Sequence, residues 1–182
     1  MPYEFFPRPR NERLPMEYYC DPERVVFLTV RATENCSPFA TVRRLLESAE
    51  GERPSPDMFE TTFNHPLCRS VLNLLQEAKE IYGCYVLVAC LMPDHMHWLA
   101  RPRTTQANVL TMHDRFKGKS TNKSWTLGHR GRLWQPRSHD HVLREEESVM
   151  AVAEYILNNP VRKGYVKQWQ DWPYSVRWDL LL

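Results

Sequence analysis

Apolar positions recur along this chain in blocks that switch between a period of two and a period near 3.6. Arg24–Thr33 (RVVFLTVRAT) is rich in β-branched and aromatic residues and predicts a strand. Phe39–Ala49 predicts a short helix ending near Gly51, and the prolines of Glu52–Asp57 predict a loop. Leu67–Tyr82 predicts a helix with Val71, Leu75, Ala78 and Tyr82 on one stripe, and Gly83 punctuates its end. Cys84–Met92 (CYVLVACLM) is a near-continuous apolar run of the kind that lies inside a sheet. His95–Ala100 follows after only Pro93-Asp94, which predicts an antiparallel hairpin. Gln106–Lys123 predicts a basic helix, Gly128–Gly131 a turn, and Leu133–Leu143 an extended segment. Glu145–Asn158 predicts a helix whose three leading glutamates suit the positive end of the dipole, closed by Pro160. There is no internal repeat. Strands and helices alternating around a hairpin predict an α+β domain with a mostly antiparallel sheet.

Composition narrows the setting. The 182 residues suit one domain with appendages, and 42% hydrophobic with 12% aromatic residues is enough to bury a core. Residues 1–23, with five prolines, read as an N-terminal arm; 24–165 form the domain; 166–182 read as a C-terminal tail. No apolar run approaches the ~18 residues of a membrane span, and the first ten residues lack the apolar stretch of a signal peptide. A cytoplasmic protein with no membrane partner is expected. Five cysteines without a C-x-x-C pair argue against a disulfide framework and against a cysteine zinc site. Net charge is only +2, yet Arg101–Arg144 holds ten Lys/Arg against two Asp. Basic charge gathered in one segment is the footprint of a phosphate-backbone binder, although a solvated basic face has the same composition.

Two segments carry candidate chemistry. In Pro93-Asp94-His95-Met96-His97-Trp98-Leu99, the histidines are two apart on a predicted strand, so both imidazoles face one side and can reach one ion. Met96 and Leu99 are expected to face the other side. An H-x-H pair alone is common on ordinary surfaces. A second pair, His139-Asp140-His141, leaves open a zinc site built from four histidines. In the predicted helix 145–158, Val149, Val152, Ala153 and Ile156 form the core face. Tyr155 and Asn159, four apart, share a stripe at its border. Such a tyrosine can look into a cleft or simply pack at a core margin. Pro160 disfavours helical geometry at Asn159, so Asn158 stands as the lesser candidate for the same amide role.

Taken together, these segments resemble a known family. His95-Met96-His97 within LMPDHMHWL resembles the histidine–hydrophobic–histidine motif of single-tyrosine HUH nucleases. Tyr155 within YILNNPVRKGYV resembles the nucleophile segment of REP-associated tyrosine transposases, and RLWQPRSHDHVLR and WPYSV are similar in style. The resemblance covers roughly residues 84–176. It implies an α/β sandwich around a central antiparallel sheet, in a ferredoxin-like or RRM-like arrangement. It also implies Mg²⁺ or Mn²⁺ held by His95, His97 and an amide four residues after the tyrosine, a position that Asn159 occupies. Some relatives carry the longer glutamine there.

The implied activity is that of a transposase-like endonuclease and strand transferase acting on single-stranded or hairpin DNA of the REP palindrome type. Tyr155 attacks the phosphodiester and leaves a 5′-phosphotyrosine and a free 3′-OH, whose return attack rejoins strands without ATP. Arg115, Lys117, Lys119 and Lys123, with Arg162 and Lys163, are the candidate backbone contacts, and Arg115, Lys117, Lys119, Arg162 and Lys163 are expected to line a groove running toward Tyr155; Trp125, Trp134 and Tyr165 are candidates for base stacking. The short turn before Glu145 favours a site completed within one chain, hence a monomer, with a homodimer as the other arrangement. Two other functions fit the same residues: a DNA-binding relative without catalysis, and a zinc-dependent hydrolase using both H-x-H pairs.

Overall fold

The computed structural model describes residues 15–33, 36–47, 51 and 53–180. Most of the predicted arm, and residues 48–49 of the predicted helix 39–49, lie outside the described residues. The strands are β1 (Val26–Arg31), β2 (Ala40–Arg44), β3 (Phe59–Phe63), β4 (Cys84–Leu91), β5 (His95–Pro102), β6 (His139–Val142) and β7 (Ser175–Arg177). The helices are α1 (His65–Ile81), α2 (Val109–Thr126), α3 (Val149–Leu157) and the single turn α4 (Asn159–Arg162).

Five strands form one antiparallel sheet in the order β6-β1-β5-β4-β7, while β2 and β3 pair separately. The apolar run of β4 is explained by its place between β5 and β7, buried on both faces. Met92 N donates to His95 O at 2.8 Å, closing the predicted two-residue hairpin over Pro93-Asp94. Register then assigns the faces. Trp98, fully buried, packs edge-on to Phe116 of α2, and α1 packs against α2, so both long helices cover that face. On the other face Ser175 Oγ donates toward both Cys90 Sγ and the carbonyl of Leu157, which brings the end of α3 over β4. The result is an α+β sandwich of two helical layers around the sheet.

The three longer helices start where the sequence supplies a cap. The side chains of Asn64, Asn108 and Ser148 accept from the backbone N–H of Leu67, Thr111 and Ala151 at the starts of α1, α2 and α3. None of the described helices is long and apolar enough to cross a membrane.

Several expectations need correction. The segment predicted as helix 39–49 begins as strand β2, because Thr41 and Val42 pair with Thr62 and Thr61 of β3; a partner distant in sequence outweighs local propensity. Residues 56–58 make a 3₁₀ turn inside the predicted loop. The third helix begins at Val149 rather than at the glutamates, since Glu147 instead accepts from Arg144 N and pairs with His141. Pro160 does not end the helical path. The break comes at Asn158 (ψ 9°), and Pro160 sits in the first turn of α4, where a missing N–H costs nothing. Leu99 shares the face of His95 and His97, and the residues turned away are Met96 and Trp98, as the period of two requires.

The predicted tail is an integral part of the sheet. Strand β7 pairs with β4, Trp172 and Tyr174 are buried, and the carboxylate of Asp179 receives Lys79 Nζ at 2.9 Å and Val86 N at 3.0 Å. The end of the predicted arm is likewise docked: Tyr19 is fully buried and its hydroxyl donates to Asp140.

Candidate active site

The β1–β5 register sets Thr29 opposite His97 and Arg31 opposite His95, while β6 sets His139 opposite Thr29 and His141 opposite Phe27. All four histidines therefore lie on the sheet face that also carries α3. His95 and His97 meet with ring centroids 4.7 Å apart, well inside the reach of two imidazoles sharing one ion.

Both rings are held through Nδ1. His95 Nδ1 donates to the Asp94 carboxylate at 2.7 Å, and His97 Nδ1 lies 2.8 Å from Thr29 Oγ1. Phe27 stacks on His97 at 5.4 Å between centroids. A hydrogen bond at one ring nitrogen fixes ring orientation and leaves Nε2 as the nitrogen for another partner, the arrangement that supports metal-ligating histidines. Burial holds the pKa of His97 well below the ordinary histidine range, and the charges of His95, Arg31, His139 and Arg162 push the same way. A neutral imidazole is the form that ligates a metal. The Asp94 carboxyl is held below its ordinary value chiefly by the hydrogen bond from His95. Beneath them Cys90, the cross-strand partner of His97, is a thiol pushed up to about 12 by burial and is chemically quiet.

Arg162 of α4 stands over the tyrosine and adds positive charge on the histidine side of the sheet. Its guanidinium carbon stands 4.1 Å over the Tyr155 ring, while its charge is felt at His97. The break at Asn158 separates the two adjacent amides. Asn158 Nδ2 donates to Glu154 O at 2.9 Å and is spent on the helix end. Asn159 is 7% exposed, and its side-chain amide takes no hydrogen-bond partner among the described residues. Its amide atoms are not sealed from solvent, and an amide with no protein partner at that point fits a third ligand position beside two neutral imidazoles.

The second H-x-H pair does not extend this set. His141 Nε2 lies 2.8 Å from Glu147 Oε2, and His139 stands edge-on to Phe27. Among the described residues no group of three or more His, Cys, Asp or Glu is arranged to hold a metal. The four-histidine zinc site is not assembled.

The candidate phosphate contacts split into two groups. Arg162 and Lys163 are exposed beside Tyr155. Arg115, Lys119 and Lys123 are exposed on α2, which covers the opposite sheet face, so they do not continue the same groove. Lys117 is half-buried and donates to Gln135 O, Pro136 O and Ser138 Oγ at 2.8–3.1 Å, bracing the loop before β6. Of the candidate stacking residues, Trp134 is buried against Phe39 and Ser120, and Trp125 is exposed. Tyr165 stacks on Trp172 at 5.7 Å.

Sequence reasoning missed Thr29 and Arg31, because no local pattern reveals a cross-strand partner. It read Asp94 only as a turn residue, although a carboxylate directly before a histidine on a strand is a visible signal.

Three comparisons bear on this arrangement. A REP-associated tyrosine transposase of Haemophilus influenzae is 29% identical over 110 residues, covering 55% of this chain and 62% of that protein. One from Escherichia coli is 44% identical over 43 residues, 24% of this chain and 26% of that protein. The chain thus spans less than two thirds of the length of these relatives. A solved REP-associated tyrosine transposase, bound to a REP hairpin, shares the fold with a TM-score of 0.61 at 21% identity, covering 91% of this chain and 81% of that one. The model of the family described as IS200-like transposases matches residues 59–159, more than half of the chain and the part that holds His95, His97, Tyr155 and Asn159; this chain belongs to that family.

Proposed function

We propose that this protein binds single-stranded or hairpin DNA, of the REP type that the solved relative holds, and cleaves and rejoins it through Tyr155. The observation that carries this reading is the pair of imidazoles anchored at Nδ1 on the sheet face that also carries α3, the helix of Tyr155. His95, His97 and the Asn159 amide would hold a divalent ion, Mg²⁺ or Mn²⁺. When bound, such an ion polarises the scissile phosphate and offsets its negative charge.

The remaining work falls to the chain itself. Arg162 and Lys163 draw the DNA phosphate to the Tyr155 side of the sheet and oppose the charge that develops on it. Packing of α3 on the sheet holds the phenol so that its oxygen can lie in line with the leaving 3′ oxygen. The new bond joins Tyr155 Oη to phosphorus, and the bond from phosphorus to the 3′ oxygen breaks. The phenolic proton is released and the 3′ oxygen takes one up. Because the phosphoryl linkage is kept, a 3′-OH reverses the step and seals a strand. Tyr155, Arg162 and His97 interact within one chain, which supports a site complete in the monomer. The cations of α2 form a second surface for backbone contacts.

The test is incubation with single-stranded hairpin DNA and Mn²⁺, followed by denaturing gels. A protein–DNA adduct that needs Tyr155 supports the reading. Tight binding with no adduct in either Mg²⁺ or Mn²⁺ would instead indicate a recognition module without catalysis.

A further inference from the structure

An open cleft of about 340 Å³ lies next to His95, bounded by Arg31, Ser37, Val42, Asp94, Lys163 and Tyr165. Besides Arg31 at the end of β1, its walls come from three places. One is the β4–β5 turn. Another is the segment after α4. The third is strand β2 with the residues before it, which lie outside the part of the chain matched by the family model.

These walls are fixed to one another. Phe39 N donates to Pro93 O at 3.3 Å, which ties the start of β2 to the turn that carries Asp94. Phe59 of β3 meets the Tyr165 ring edge-on at 5.2 Å. Gly164 (φ +75°) lies so close to the loop before β3 that an added Cβ would stand 2.5 Å from Pro54 O. Only glycine allows that approach. The β2–β3 hairpin is thus clamped onto the segment that brings Lys163, and the cleft is already formed without a ligand.

The cleft is polar. Arg31 and Lys163 are exposed, and neither is in an ion pair among the described residues. Between them lie the Ser37 hydroxyl and the Asp94 carboxylate, whose Oδ1 is taken by His95. Two cations suit a phosphate. A carboxylate and a hydroxyl suit a base edge that offers an amino group, as adenine, cytosine and guanine do and thymine does not. We infer that this cleft receives the nucleotide adjoining the scissile phosphate, with its own phosphate on Arg31 and Lys163 and its base read by Asp94 and Ser37. This inference rests on the proposed DNA-cleaving function and adds to it a base-reading pocket built by the β2–β3 hairpin.

The test uses the whole protein in EDTA, so that no divalent ion takes part. Binding of dAMP, dCMP, dGMP, dTMP and inorganic phosphate is measured by ligand-observed NMR or calorimetry. One of the three amino-bearing nucleotides should bind at least about tenfold tighter than both dTMP and phosphate, in the range of one good base contact. Val42→Trp, which fills the cleft from a half-buried strand position, should remove that preference. Lys163→Ala should weaken nucleotides and phosphate alike and needs no refilling of the cleft. Equal binding of phosphate and the best nucleotide, dTMP ranking tightest, an unchanged order in a folded Val42→Trp protein, or no binding at all would each overturn the inference. The Tyr155 adduct assay separates the two readings: an adduct with a non-selective cleft sinks only the pocket, and a selective cleft without an adduct sinks only the cleavage.

Discussion

Thr29 Oγ1 stands 2.8 Å from His97 Nδ1, across the pairing of two strands that lie 68 positions apart in sequence. This contact decides which nitrogen of His97 is left for chemistry. Thr29→Val keeps the shape and the β propensity but removes the hydroxyl. Mn²⁺ affinity and adduct formation should fall about 10- to 100-fold, the usual cost of losing such a partner. Thermal stability should change little, and Thr29→Ser should restore both. Calorimetric Mn²⁺ titration of the three proteins is the measurement; equal affinities would remove Thr29 from the site.

The two neighbouring amides should behave differently. Asn159→Ala should weaken Mn²⁺ binding, since the amide of Asn159 has no other partner among the described residues. Asn158→Ala should leave it intact and cost only about 0.5–1.5 kcal/mol of stability through the lost bond to Glu154 O. The reverse order would move the ligand to Asn158.

Tyr155→Phe removes one oxygen and almost no volume. DNA binding and Mn²⁺ binding should persist while the covalent adduct vanishes. Tyr165→Phe and Tyr174→Phe keep the rings that pack on Trp172 and Phe63, and both proteins should still cut. An adduct surviving in Tyr155→Phe would transfer the chemistry to another residue.

If α2 forms a second phosphate surface, replacing Arg115, Lys119 and Lys123 together by Ala should lower single-strand affinity and flatten its salt dependence. The log–log slope should drop by about 0.7 per lost phosphate contact, roughly 2 for the triple variant. Adduct yield at saturating DNA should be unchanged, because these residues lie across the sheet from Tyr155. An unaltered slope would show that DNA does not reach α2.

Asp179→Ala should be strongly destabilising. Lys79 is buried and its ammonium bonds both Asp179 oxygens at 2.9 Å. Removing the carboxylate leaves the ammonium only its 3.4 Å pair with the exposed Glu80 and takes away the partner of Val86 N–H, a loss on the order of 2–4 kcal/mol. Urea unfolding measures it directly. A shift below about 1 kcal/mol would mean that water reaches Lys79 once Asp179 is gone.

Periodicity alone determined α1, α2 and the β4–β5 hairpin, because an apolar repeat of two or 3.6 commits a segment to one way of burying its face. The same repeat put His95 and His97 on one side of a strand. Local sequence misjudged β2 and β7, whose strand character comes from partners distant in the chain: β3 for Ala40–Arg44 and β4 for Ser175–Arg177. It also grouped Arg115, Lys117 and Lys119 with Arg162 and Lys163 into one groove, whereas α2 and α4 lie on opposite sides of the sheet. Only the tertiary structure shows how the surroundings of His95 and His97 differ from those of His139 and His141. All four share a face, and the difference lies in what the register and the loop before α3 set beside each ring. Thr29 and Asp94 anchor the first two at Nδ1, while Glu147 takes His141 at Nε2. Sequence spacing fixes which side a residue faces, but its hydrogen-bond partner depends on strands and loops brought together by folding.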